Sequence, residues 1–106
     1  MAIENIRTTL YFPTMIQTAT VPNHVVLNEV LRTEIKNMIQ SADRRTWQTR
    51  DDLATMASFT PLTEAVVASA KHFINECGFA LEALEITEMW ANVINKGGFH
   101  PPHVHP

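Results

Sequence analysis

The run of residues 83–95 constrains the fold most, because it is rich in the residue types that favour β-structure. Thr, Ile, Val and Trp within it predict a strand. Successive side chains of a strand point to opposite faces, and here both faces mix apolar with polar residues. Such a strand needs other elements packed on both sides. Residues 95–98, Asn-Lys-Gly-Gly, predict the turn or bulge that ends it.

Two amphipathic helices are predicted upstream. The first spans roughly residues 23–41, with Asn23 as its N-cap, and the second spans roughly residues 61–77, with Gly78 just after its end. Apolar residues recur at helical spacing in both, and we interpret these stripes as core. The stripes comprise Leu27, Leu31, Ile35 and Met38 in the first helix, and Leu62, Val66, Ala70 or Ser69, Phe73 and Cys77 in the second.

The remaining segments complete an α+β pattern. Residues 8–21 carry Thr, aromatic and β-branched types and predict one or two short strands, with Pro13 restricting them to a sheet edge or a break. Residues 42–59 are mostly polar and predict an irregular loop. Its apolar side chains are expected to attach it to the core: Trp47, Leu53, Met56 and Phe59.

Composition excludes several classes of partner. With 106 residues the chain is long enough for a single domain, residues 1–106, and a net charge of −3 gives no basic surface for nucleic acid or an anionic membrane. No apolar stretch approaches the roughly 20 residues that span a bilayer. Cys77 is the one cysteine, so an intrachain disulfide is impossible, which fits a cytoplasmic location.

The C-terminal segment carries the candidate chemistry. Its histidines are His100, His103 and His105, and two prolines hold the segment extended. Residues i and i+2 of an extended chain share a face, so His103 and His105 are predicted to bind one metal ion, while His100 points elsewhere or supports the site. A solvated tail is the alternative. Two ligands are too few for a catalytic iron or zinc site.

Residues 86–93 followed by 97–106 resemble the 2-oxoglutarate- and Fe(II)-dependent oxygenases of marine bacteria and their phages. The most specific part is Trp-x-Asn at 90–92 and His-x-x-His-x-His-Pro at 100–106. Residues 10–14, 47–53 and 59–62 resemble the same family more weakly. The resemblance implies two helices packed on strands that form the first part of a double-stranded β-helix (jelly-roll or cupin-like), with the barrel incomplete.

The resemblance also implies a chemistry. An Fe(II) centre would use 2-oxoglutarate and O₂ to hydroxylate a small-molecule or unknown prime substrate, releasing succinate and CO₂. The wider superfamily's first metal motif is His-x-Asp. Here His103 takes the place of the histidine and His105 that of the carboxylate, so His105 is a ligand or the site lacks a carboxylate. Asn92 and His100 are expected near the co-substrate.

Such enzymes also need further strands, a distal histidine and a basic residue that binds 2-oxoglutarate, and none is identified here. We therefore expect the N-terminal portion of a larger 2-oxoglutarate oxygenase domain, inactive alone. The alternative is a non-catalytic α+β metal-binding or phage accessory module that self-associates as a homo-oligomer through an open sheet edge. A continuation with a distal histidine and arginine would distinguish the two.

Overall fold

The computed structural model describes residues 4–7, 12–39 and 46–105. The elements in chain order are α1 (His24–Met38), β1 (Thr46–Gln48), two 3₁₀ turns (Leu53–Thr55 and Ala57–Phe59), α2 (Thr60–Glu76) and β2 (Asn92–Ile94). β1 and β2 pair antiparallel, with Trp47 opposite Val93, in a two-stranded sheet that does not close. The predicted α+β class with two helices is confirmed.

Both helices form where their apolar stripes predict, but the prediction that the α2 stripe is core is wrong: no residue of α2 is buried, and Val66 is 42% exposed. In α1, Leu31 is buried at 8% exposure, with other stripe residues packed around it. α2 ends in a Schellman motif: the Gly78 N–H donates to the Asn75 carbonyl at 3.0 Å, and the Phe79 N–H donates to the Ile74 carbonyl at 3.1 Å. Gly78 has φ +86°, a conformation that a side chain disfavours. Within the described ranges, no helix combines the length and apolar character needed to cross a lipid bilayer.

The core lies at the two 3₁₀ turns. Leu53 and Phe59 are 1% and 2% exposed, and both belong to the same buried cluster as Leu31 of α1. Of the residues that the structure describes, seven partly buried ones pack against this cluster: Leu27, Ile35, Met38, Met56, Leu62, Met89 and Ala91. The turns therefore join α1, the start of α2 and the segment leading to β2. The expectation that Leu53, Met56 and Phe59 attach this region to the core is confirmed, whereas Trp47, the fourth residue expected there, is half-buried and does not belong to this cluster.

The prediction that residues 42–59 are irregular is wrong for the part from residue 46 onward. β1 and the two 3₁₀ turns occupy most of it, and residues 42–45 lie outside the described residues. The polar side chains of β1 are exposed, with only Trp47 half-buried, because one face of this short strand meets solvent. An overall polar composition therefore concealed a strand.

The predicted strands are shorter than expected or missing. Only residues 92–94 of the run 83–95 form a strand, with a single further bridge between Met89 and Asp52. Residues 83–88 have no described strand beside them. Residues 12–21 form no strand for the same reason, and residues 8–11 lie outside the described part. β-favouring composition makes a segment suitable for pairing but does not supply the partner.

Candidate functional site

Thr49 extends the β1–β2 pairing toward the core, and its side-chain hydroxyl takes the place of one backbone acceptor. Its N–H donates to the Ala91 carbonyl at 2.9 Å, but the Ala91 N–H donates to the Thr49 Oγ1, also at 2.9 Å, instead of to a backbone carbonyl. The same hydroxyl donates to the Arg50 carbonyl at 2.9 Å. Thr49 is 5% exposed. The buried Thr49 hydroxyl thus supplies the acceptor that a backbone carbonyl supplies in a regular strand pair.

A separate, parallel bridge between Asp52 and Met89 follows at the first 3₁₀ turn. The Met89 N–H donates to the Asp51 carbonyl at 2.8 Å, and the Leu53 N–H donates to the Met89 carbonyl at 3.1 Å. Residues 89–94 are therefore fixed along their length to β1 and the core. They carry the chain toward the histidine segment.

Replacing Thr49 with valine is expected to destabilise the fold by about 1–3 kcal/mol, because the Ala91 N–H loses its acceptor and a buried amide is left unpaired. Thr49→Ser keeps the hydroxyl and serves as the matched control, with a smaller loss from the missing methyl group. Urea unfolding followed by circular dichroism measures both. Equal stability of the valine variant and the natural chain would contradict the role given to this hydroxyl.

A tight turn and one side-chain bond position the start of the histidine segment. The Gly98 N–H donates to the Asn95 carbonyl at 2.8 Å, and Gly97 has φ +84°, as the third position of a type II turn requires. The turn predicted at residues 95–98 is confirmed. Just beyond it, the Thr46 Oγ1 donates to the Phe99 carbonyl at 3.2 Å. The residue before His100 is thereby tied to β1.

The structure brings the three histidines together on this exposed segment. The Nε2 atoms of His103 and His105 lie 3.0 Å apart, and their ring centroids are separated by 4.7 Å. The His100 ring stacks on that of His103 at a centroid distance of 4.8 Å. The His103 Nδ1–H donates to the Pro101 carbonyl at 3.2 Å. That bond fixes the tautomer, so the His103 Nε2 lone pair accepts from the His105 Nε2–H.

The two Nε2 atoms are spaced as ligands of one metal ion would be. Two nitrogens bound at about 2.0–2.1 Å with an angle between about 90° and 109° lie about 2.8–3.4 Å apart. The observed 3.0 Å falls inside that interval. A ligating histidine commonly donates its other N–H to a backbone carbonyl, as His103 does to Pro101. Transfer of the His105 proton from Nε2 to Nδ1, a change of tautomer, would leave both Nε2 lone pairs free for the ion.

The donor set around this pair is small. Among the described residues, no group of three or more His, Cys, Asp or Glu side chains could hold a metal ion. Asn92 lies in β2, exposed and opposite Gln48, before the turn that leads to the histidines. The metal role of His103 and His105 and the co-substrate role of Asn92 and His100 stay predictions.

Asp51 and Asp52 form an acidic pair just before the first 3₁₀ turn, and Asp52 is hydrogen-bonded to its neighbours in the chain. The Arg50 guanidinium donates to both carboxylate oxygens of Asp52. This bond lowers the pKa of the Asp52 carboxyl below its usual range. The Asp52 carbonyl also accepts from the Thr55 N–H at 3.0 Å, which starts the first 3₁₀ turn. A turn role, not a cation site, accounts for Asp52.

Sequence reasoning missed the two threonines that position the segment, Thr46 and Thr49. The signal was present, because three of the four residues 46–49, two Thr and one Trp, are of types that favour strands. The surrounding charged residues masked that pattern.

Comparison with protein-family models, with curated proteins and with solved structures found no match to this chain.

Proposed function

We propose that this chain supplies metal ligands to an Fe(II)- and 2-oxoglutarate-dependent dioxygenase site, with His103 and His105 as those ligands. The main support is the 3.0 Å spacing of their Nε2 atoms. The resemblance of residues 86–93 and 97–106 to that family supports the same assignment. Fe(II) with 2-oxoglutarate and O₂ supplies the oxidising power to hydroxylate an unactivated carbon, with succinate and CO₂ as co-products.

Each residue of the segment has a separate task in this proposal. The Pro101 carbonyl holds His103 in the tautomer that leaves Nε2 available. His100, stacked on His103, restricts the rotation of that ring and lines the co-substrate side. Asn92 offers an amide to 2-oxoglutarate from β2. β1 and β2 are strands of a double-stranded β-helix, and the site needs at least one ligand besides the two histidines.

A second candidate is a non-catalytic metal-binding module that self-associates through an edge of the β1–β2 sheet. The observation that favours it is the sheet itself, which has two strands within the described ranges, so one edge of each has no described strand beside it. Both candidates bind metal through the same histidines. They differ in whether the bound metal recognises 2-oxoglutarate.

The experiment is a titration of the Co(II)-loaded chain with 2-oxoglutarate under nitrogen, followed by visible absorption. We expect a spectral change that saturates near one 2-oxoglutarate per metal, because the 2-oxo acid can chelate through its keto oxygen and carboxylate. Glutarate, which lacks the keto oxygen, is the matched control and should leave the spectrum unchanged. Identical responses to both acids, or none to either, would favour the module over the oxygenase.

A further inference from the structure

Residues 14–21 have the composition of a strand but no strand beside them. They contain Thr, Ile and Val and lie outside every helix, turn and bend, and none of their backbone groups hydrogen-bonds to the backbone of another described residue. Pro13 and Pro22, which lack an N–H, bound the segment at both ends. Between them lie eight residues whose backbone donors and acceptors are available for pairing.

Helix α2 fixes one side of this segment. The Gln17 Nε2 donates to the Ser69 carbonyl at 2.8 Å and lies 2.9 Å from the Ser69 Oγ, while the His72 Nδ1 lies 2.8 Å from the Gln17 Oε1. The Cys77 Sγ is 3.8 Å from the Met15 Sδ. Met15 and Gln17 therefore hold this stretch against α2 and its C-terminal end. Ile16 is 84% exposed.

The segment also lies against an open groove. It encloses about 1130 Å³ and is lined by residues 17–23 and by one face of α2. On the helix side the lining includes Ala65 and Ala68, whose short side chains leave room for an incoming backbone. An additional strand placed here would lie next to residues 14–21 and over α2.

The charge distribution favours an identical segment as the occupant. Residues 8–28 contain no Asp, Glu, Lys or Arg. Exposed strand edges usually carry charged residues that prevent pairing, and this one carries none. Two such segments meet antiparallel without like-charge repulsion, which is the arrangement that a two-fold axis generates.

We propose that residues 14–21 of two copies of this chain pair as antiparallel strands about a two-fold axis, beside α2 of each copy. The centre of the segment falls between Gln17 and Thr18, so the two Thr18 side chains lie close to each other near the axis. This edge is distinct from the edges of the β1–β2 sheet.

Sedimentation equilibrium of the full chain tests the proposal. Thr18→Lys places two like charges near the axis and is expected to weaken dimerisation at least about tenfold. Asn28→Lys, an exposed site on α1 with the same charge change, is the matched control and should dimerise as the natural chain does. A natural chain that stays monomeric up to millimolar concentration, or equal dimerisation of the two variants, would overturn the proposal.

Amide hydrogen exchange of the unsubstituted chain gives an independent readout. Protection across residues 14–21 should rise with protein concentration, because pairing covers those amides. Concentration-dependent protection confined to residues 92–94 would place the interface at the β1–β2 sheet and would also overturn the proposal.

Discussion

Leu53→Ala is expected to remove cooperative unfolding of the chain at room temperature. Leu53 is 1% exposed and lies in a cluster whose buried apolar members, among the described residues, are Leu31, Leu53 and Phe59. Truncating a buried leucine costs about 2–5 kcal/mol. A small domain has about 5–15 kcal/mol in total, and this fold, with so few buried side chains, belongs at the low end.

The matched control is Leu81→Ala, the same chemical change at a side chain that is 47% exposed. It should shift the urea midpoint little. Unfolding curves recorded by far-ultraviolet circular dichroism compare the two variants directly. If both had the same midpoint, the junction at the 3₁₀ turns would not be the core of the folded state.

Replacing His103 or His105 with alanine is expected to weaken metal binding at least about 100-fold. Loss of a residue that merely supports a ligand already costs about 10–100-fold in metal affinity, and loss of a ligand should exceed that. Because the two Nε2 atoms lie 3.0 Å apart, both imidazoles are expected to chelate the same ion, so the loss of either one lowers the metal affinity of the pair. His24→Ala, at the exposed first residue of α1, is the control. Calorimetric titration with Co(II) or Zn(II) measures the affinities.

Two further substitutions at His105 test its place in the motif. His105→Asp recreates the His-x-Asp pattern and should retain metal binding, since a carboxylate replaces the imidazole as donor. Asparagine has the shape of aspartate without its charge, so the His105→Asn variant should bind the metal far more weakly. If the aspartate variant behaved like His105→Ala, position 105 would not contribute a ligand.

The helices were predictable because each is defined by its own sequence. Leu27, Leu31 and Ile35 recur at helical spacing, and that period alone locates α1 and its buried face. The core at the 3₁₀ turns was half predictable. Leu53, Met56 and Phe59 are spaced by three residues, the period of a 3₁₀ helix, but turns this short leave no longer pattern to detect.

The strands were less predictable because pairing depends on a distant partner. Nothing in residues 83–95 indicates that only 92–94 meet another strand, or that a threonine hydroxyl accepts the Ala91 N–H. At the candidate site, the i, i+2 spacing predicted that His103 and His105 share a side. The bond from His103 to the Pro101 carbonyl, which sets the tautomer, depends on backbone geometry that the spacing does not specify.

The bond between Ala91 and Thr49 has a consequence for the order of folding. It joins residues 42 positions apart, and α2 lies entirely between them. Closing a loop of that length costs about 3 kcal/mol beyond a constant term. Helix α2 needs no such closure, so we expect it to form early and the strand pair to form after the helix has shortened the path. The histidine segment is tied to β1 through Thr46, so we expect it to be among the last parts of the molecule to assemble.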